Sequence, residues 1–155
     1  MKKKAAIIYQ SETGNTKKLA EAIAKGMKKK LSVRMITVDK AKKSDVDTAN
    51  IIGFGAGIYS FKPCAPVQKF VDSLPLENEK VVFTFSTSGW GSDMQLTPLK
   101  RELNRKGLCV VGSFTCKGHD MWGPFKWFGG INKGRPNKDD LKKAERFGAE
   151  IAKTF

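Results

Sequence analysis

An α/β domain with a parallel sheet covered by helices on both faces is what this chain predicts, on three observations. Apolar runs alternate with segments of helical periodicity along its 155 residues, five of each if one weak helical turn near residue 46 is counted. The runs are apolar throughout rather than alternating with polar residues, as strands buried on both faces require. Three of them lead into turns of small, polar and glycine residues, which in such folds gather at the edge where ligands bind. The length suits one domain, residues 1–155, with one core. Right-handed crossovers make a doubly wound, three-layer arrangement the default.

Ala5–Tyr9 is read as the first strand, and Leu19, Ala20, Ile23, Ala24 and Met27 share one face of the helix after it. Ser32–Val38 alternates well enough for the second strand, and the polar Lys40–Thr48 predicts a loop with one helical turn. Ile51–Ala56 reads as a short buried strand, its glycines marking close backbone approach. The stretch G-F-G-A-G at 53–57 has the start of a dinucleotide fingerprint. Ile58 stands where the final glycine belongs, however, and Pro63 and Pro66 keep a helix from opening directly after it. Pro66 is placed as the first residue of the next helix, with Val67, Phe70, Val71 and Leu74 inward and Pro75 ending the stripe. Val81–Phe85 is the fourth strand. Thr97 is read as an N-cap followed by Pro98, Leu99 and Leu103 face inward, and Gly107 closes that helix. Leu108–Phe114 is the last strand. Asn137, with Asp139 and Asp140 behind it, starts the last helix, which buries Leu141, Ala144, Phe147 and Ile151.

The stretch Tyr9–Thr16, Y-Q-S-E-T-G-N-T, joins the first strand to the first helix. A helix N-terminus presents unpaired N–H groups and the positive end of the helix dipole, which together make an anion site. Ser11, Thr13, Asn15 and Thr16 add side-chain donors, Glu12 lies between them, and Gly14 lets the backbone approach closely. The lysine of a nucleotide-triphosphate loop is missing. On spacing alone the stretch is equally an ordinary strand–helix turn with a capped helix. Two further turns are candidates for the same edge: Gly57, Ile58, Tyr59, Ser60 and Phe61, and Ser86, Thr87, Ser88, Gly89, Trp90 and Gly91. Each carries an aromatic, Tyr59 or Trp90, that reads either as a flat-ligand contact or as a partly buried surface side chain.

S-E-T-G-N-T resembles the phosphate-binding loop of flavodoxins, [T/S]-x-T-G-x-T, and stands where that loop stands, just after the first strand. The resemblance spans nearly the whole chain. It implies a five-stranded sheet of order 2-1-3-4-5 and an FMN cofactor whose phosphate sits on Ser11–Thr16. The loops Gly57–Phe61 and Ser86–Gly91 would then flank its ring. It implies electron transfer between redox partners; the alternative is an FMN-dependent oxidoreductase acting on a quinone, porphyrinogen or other flat substrate. Flavodoxins place a glycine after the inner aromatic so that a peptide can flip when the flavin is reduced. Ser60 occupies that place, and a positive φ there costs a non-glycine residue roughly 1 kcal/mol, so half-reduced flavin is expected to be less stabilised than in the family at large. Cys116–Pro136 is long for a connection and rich in aromatics, among them Trp122, Phe125, Trp127 and Phe128. It is read either as a lid or docking surface, or as a self-packed loop.

The formal net charge is +14, and it is uneven: residues 1–43 hold 13 Lys/Arg against 3 Asp/Glu, residues 44–155 hold 16 against 12. Such a surface is either simply well solvated or attractive to an acidic partner, and no nucleic-acid module is recognisable. Flavodoxins are usually acidic, so a basic chain departs from the family. Lys40, Lys42, Lys43, Lys62, Lys117, Lys126 and Lys133 are expected on the cofactor side, where an acidic, ferredoxin-like donor would suit them. No run of about 18 apolar residues is present, so no transmembrane segment is expected. Cys64, Cys109 and Cys116 are odd in number and form no C-x-x-C pair; with the single His119 they make no familiar metal site. They read as reduced thiols in a cytoplasm.

Overall fold

In chain order the elements are β1 (Lys4–Gln10), α1 (Asn15–Met27), β2 (Ser32–Thr37), α2 (Lys43–Thr48), β3 (Ile51–Tyr59), β4 (Lys62–Pro63), α3 (Ala65–Asp72), β5 (Val81–Ser88), α4 (Thr97–Arg105), β6 (Cys109–Lys117) and α5 (Lys138–Ala152). The computed structural model describes residues 2–59, 62–63, 65–76, 79–88, 93–118 and 134–155. The five long strands run parallel in the spatial order β2-β1-β3-β5-β6. This is the expected 2-1-3-4-5 once the two-residue β4, an antiparallel arm on the end of β3, is set apart.

Side chains alternate across the sheet and build two apolar layers. Ile7, Tyr9, Phe83 and Phe85 pack under α1 and α5. Ile8, Ile52, Phe54 and Val82 pack under α2, α3 and α4. The glycines of the central strand have a steric purpose. A Cβ on Gly53 would lie 2.3 Å from the ring of Phe83, and one on Gly55 2.1 Å from the ring of Phe85. The G-F-G-A-G run is therefore a floor for two aromatic rings, and its likeness to a dinucleotide turn is incidental. α1 and α5 meet the same way: a Cβ on Gly26 would fall 1.9 Å from the Glu145 carbonyl oxygen, and one on Gly148 2.1 Å from that of Ile23. Phe147 then reaches the sheet, edge-on to Phe83 at 5.8 Å between ring centroids.

Several boundaries differ from expectation. β3, β5 and β6 each run further toward the carboxyl edge, to Tyr59, Ser88 and Lys117. Backbone pairing continues through small and polar residues, with Gly57 opposite Thr87 and Thr87 opposite Cys116. Ser86, Thr87 and Ser88 thus belong to a strand, not to the turn beyond it. At α4 the N-cap is Leu96, not Thr97: a 3₁₀ turn over Asp93–Leu96 feeds straight into the helix, and fully buried Leu96 anchors the junction beside Leu99 and Leu103. Pro66 sits one position inside α3 rather than first.

Other ends form as read. α4 closes in a Schellman motif, with Gly107 at φ +84, its N–H on Asn104 O and the Leu108 N–H on Leu103 O, both at 3.0 Å. α5 opens on a capping box: Asn137 Oδ1 accepts from the Asp140 N–H at 2.9 Å, and Asp140 Oδ2 accepts from the Asn137 N–H at 2.8 Å.

Part of the lysine excess is structural. Lys106, though only 7% exposed, donates through Nζ to the carbonyls of Asp72 and Leu74 at 2.7 Å each, at the C-terminus of α3. Lys80 does the same at the end of α2, to Asp47 O and Ala49 O, and Lys2 reaches Lys28 O at the end of α1. Each places a cation on unpaired carbonyls at the negative end of a helix.

The α1–α5 contact sets a test. Gly148→Ala meets backbone rather than a movable side chain, so the helices must part. An overpacked contact of this kind costs about 1–3 kcal/mol, read as a lower urea midpoint; an unchanged midpoint would mean that α1 and α5 are not held this closely.

Candidate functional site

The carboxyl ends of β1, β3 and β5 gather the three turns. At the first, Gly14 is the N-cap of α1, in the left-handed region at φ +87, with no heavy atom within 4 Å of the place a Cβ would take. Glycine is needed there for its conformation, and the space above it is open. α1 has no N-cap side chain and no acidic residue in its first turn, whereas α5 opens on a capping box and in α2 the Asp45 carboxylate accepts from the Lys42 N–H at 2.8 Å. Ser11 Oγ accepts from the Lys17 N–H at 3.2 Å, which leaves its own proton to donate. Lys18 N–H returns to Gly14 O. Glu12 and Thr13 are exposed at the tip, and Lys17 and Lys18 add positive charge to an already positive helix end.

Thr16 has another task than the one its position suggested. It is 2% exposed, and its Oγ1 lies 2.9 Å from Thr87 Oγ1, one hydroxyl donating to the other. The bond ties the first turn to the end of β5. Ser88 Oγ donates to Gln95 Oε1 at 2.9 Å, joining the same strand end to the 3₁₀ turn. Ser86 Oγ is buried without a hydrogen-bond partner on the opposite face of β5. Gly57, Ile58 and Tyr59 close β3 as backbone. Ser60, Phe61, Gly89, Trp90 and Gly91 lie outside the described residues, as does Cys64, so the ring-side contacts expected of them are not placed.

Gly118, which no sequence motif singles out, is a neighbour of the candidate site. Its N–H donates to Ser88 O at 2.9 Å, and a Cβ there would stand 3.2 Å from both Asn15 Nδ2 and Thr87 Cβ. The chain thus leaves β6 wedged between the first and third turns. Its position just past the last strand, at the carboxyl edge, was the available signal. Residues 119–133, with His119 and the aromatic cluster, fall outside the described residues, and the oxidoreductase alternative rested on them and on Ser60.

An anion fits this edge. The N-cap is a glycine with no side chain to close the helix end, the space above it is open among the described residues, and the Ser11 hydroxyl, which accepts from the Lys17 N–H, keeps its proton to give. Lys40 follows β2, Lys42 and Lys43 open α2, Lys62 pairs with Tyr59 at the end of β3 and Lys117 ends β6, all at this edge, while Lys126 and Lys133 lie outside the described residues. Among the described residues no cluster of His, Cys, Asp or Glu could hold a metal, and no helix is long and apolar enough to cross a membrane.

A family model described as Flavodoxin domain matches residues 6–122. The chain belongs to the flavodoxin family. An uncharacterized protein of Methanocaldococcus jannaschii is 39% identical over 153 residues, spanning 97% of this chain and 99% of its own. A flavodoxin of Aquifex aeolicus is 30% identical over 164 residues, 96% of this chain and 85% of its own. Among solved structures, a flavodoxin from the domain Archaea superposes with a TM-score of 0.74 at 25% identity, covering 97% of each chain. The family typically binds flavin and transfers electrons to redox partners, and the parallel order 2-1-3-4-5 is its fold.

Behind the candidate site, Arg135 clamps Asp140 through one guanidinium edge in a bidentate pair, Nη2 donating to Oδ1 at 2.7 Å and Nε to Oδ2. Burial alone would raise the Asp140 carboxyl. The Arg135 hydrogen bond, the Asn137 N–H and the charges of Arg135 and Lys143 outweigh it and hold the carboxyl below its usual range. Burial, with the Asp140 charge adding and Arg135 opposing, pushes the Cys116 thiol up to about 12. Cys116 is 7% exposed and carries no thiolate near neutrality.

Two outcomes are expected. Because the Asp140 carboxyl is depressed in the fold, its contribution is complete above the unfolded value of about 3.9 and fades as pH falls through the folded one. Asp140→Asn should therefore lose more stability at pH 7 than at pH 3 in urea titrations; an equal loss at both would remove the charge from the explanation. In folded protein at pH 7, iodoacetamide should modify exposed Cys109 and spare Cys116, read by peptide mass spectrometry, and rapid labelling of Cys116 would contradict its burial.

Proposed function

We propose that this chain binds FMN at the carboxyl edge of its sheet and passes electrons between redox protein partners in the cytoplasm. The glycine-opened N-terminus of α1 carries the reading, because its turn resembles the family's phosphate loop in sequence and follows the first strand as that loop does. Ser11, Glu12, Thr13, Gly14, Asn15 and Thr16 would hold the phosphate by backbone N–H groups and hydroxyls. Gly57–Phe61 and Ser86–Gly91 would flank the ring. When bound, the flavin supplies the one- and two-electron chemistry, and the chain binds it, orients it and sets the polarity around it. Thr16 and Thr87, joined through their hydroxyls, hold the phosphate turn and the ring-side strand at a fixed separation. The lysines at the carboxyl edge suit an acidic partner, a ferredoxin-like donor among them.

The test is a binding titration on purified protein. FMN should bind with a flavoprotein spectrum and raise the melting temperature. It should bind at least about tenfold tighter than riboflavin, which lacks the phosphate and so forgoes charge-assisted hydrogen bonds. Gly14→Ala should narrow that gap by straining the turn. A colourless protein that FMN does not stabilise would end the proposal. For the partner, the rate of reduction by a ferredoxin should fall steeply with ionic strength, and a flat profile would exclude electrostatic docking.

A further inference from the structure

Away from the cofactor edge, α1 and α5 lie side by side, and the seam between them is a furrow. Lys18 and Lys25 of α1 and Lys29 just beyond it line one bank. Lys138, Lys142 and Arg146 of α5 line the other. Among the described residues, the carboxylates lining it are Glu21 and Glu145 alone. Glu145 is shared between Lys25 at 3.7 Å and Lys29 at 4.0 Å, long contacts for one carboxylate facing two cations. Cations on the opposite face and edge are matched more closely: Lys43 with Asp47 and Arg34 with Asp45 both sit at 2.8 Å. The furrow therefore keeps an uncompensated positive charge along its length. At its carboxyl-edge end it holds a groove of about 370 Å³ between Lys18, Lys25 and Lys138.

We infer that this α1–α5 furrow is a docking surface for an acidic protein segment. Cations on both banks face whatever lies between them, and like charges so arranged favour an anionic partner electrostatically. The other groups in the furrow select a protein as that partner. Its apolar groups are Ala22, Leu141 and Ala149, too small a set to anchor a helix face in a lipid interface, which needs large apolar side chains. Among the described residues it presents no aromatic on which a base could stack. Glu21 and Glu145 lie within it, where a uniformly anionic phosphate polymer would meet them and a mainly acidic protein surface could offset them with its own occasional lysine. Both helices begin at the carboxyl edge, so a segment seated in the furrow ends beside the flavodoxin site. The inference stands on surface charge alone and goes beyond the electron-transfer reading.

The experiment uses the FMN-loaded full chain and three probes at low salt: a glutamate-rich, alanine-based helical peptide with a few lysines, duplex DNA, and vesicles of phosphatidylcholine and phosphatidylserine. Two variants each remove three positive charges: Lys25→Ala/Lys142→Ala/Arg146→Ala in the furrow, and Lys69→Ala/Arg101→Ala/Arg105→Ala on α3 and α4. The peptide should bind the parent in preference to DNA and vesicles. The furrow variant should lose about tenfold or more in affinity and the control about twofold or less. Equal losses in both variants, preference for DNA or lipid, or no peptide binding would overturn the inference. Flavin absorbance is read separately, so failure to take up FMN counts against the cofactor and leaves the furrow test intact.

Discussion

The rings of Phe83 and Phe85 lie over Gly53 and Gly55, and the rest of the structure is arranged around that contact. It locks β5 onto β3 in one register, since a slip by one residue would turn the rings to the other face and set side chains where glycines must be. With that register set, Gly57 stands opposite Thr87, and the turns after β3 and β5 leave the sheet at one height. β1 pairs to the other side of β3, which brings the Ser11–Thr16 turn alongside. The proposed site, drawn from three distant stretches of chain, thus depends on apolar packing a few residues below it.

The parallel arrangement also decides where charge is useful. All helices run back from the carboxyl edge, so their negative ends collect at the amino edge. Lys2, Lys80 and Lys106 occupy the C-termini of α1, α2 and α3 there. Their placement accounts for part of the basic composition without any partner. Part of the remaining excess lies at the carboxyl edge and part in the α1–α5 furrow, and those two surfaces meet at Lys18 and Lys138.

Local chemistry was legible in the sequence. The S-E-T-G-N-T turn, the Asn137 helix start and the Gly107 helix stop are written in a few adjacent residues, and each formed where it was read. Pairing over long separations was not. Thr16 and Thr87 are 71 residues apart, and only the strand register brings their hydroxyls together. Gly118 acquires its role from Asn15 and Thr87, neither near it in sequence. Lys106 looked like any surface lysine until the end of α3 was placed above it. Thr97 carried the right side chain for a cap, but a buried leucine before it settled the geometry. Features set by neighbours along the chain can be read directly, whereas features set by register need the sheet.

The outer strand β6 slips past β5 between Val82 and Phe83: Val110 pairs with Val82 and Gly112 with Phe83, so Val111 is an extra residue, 45% exposed. Such a bulge bends the strand and breaks the even row of unpaired backbone groups along its free side. A sheet with a straight, apolar border invites a second copy to add itself as the next strand, and then a third. Here the border is kinked near its start, at Val111, which interrupts the row of backbone groups that a further copy would pair with. The bulge is one of the backbone devices that make an open sheet edge a poorer template for edge-to-edge pairing.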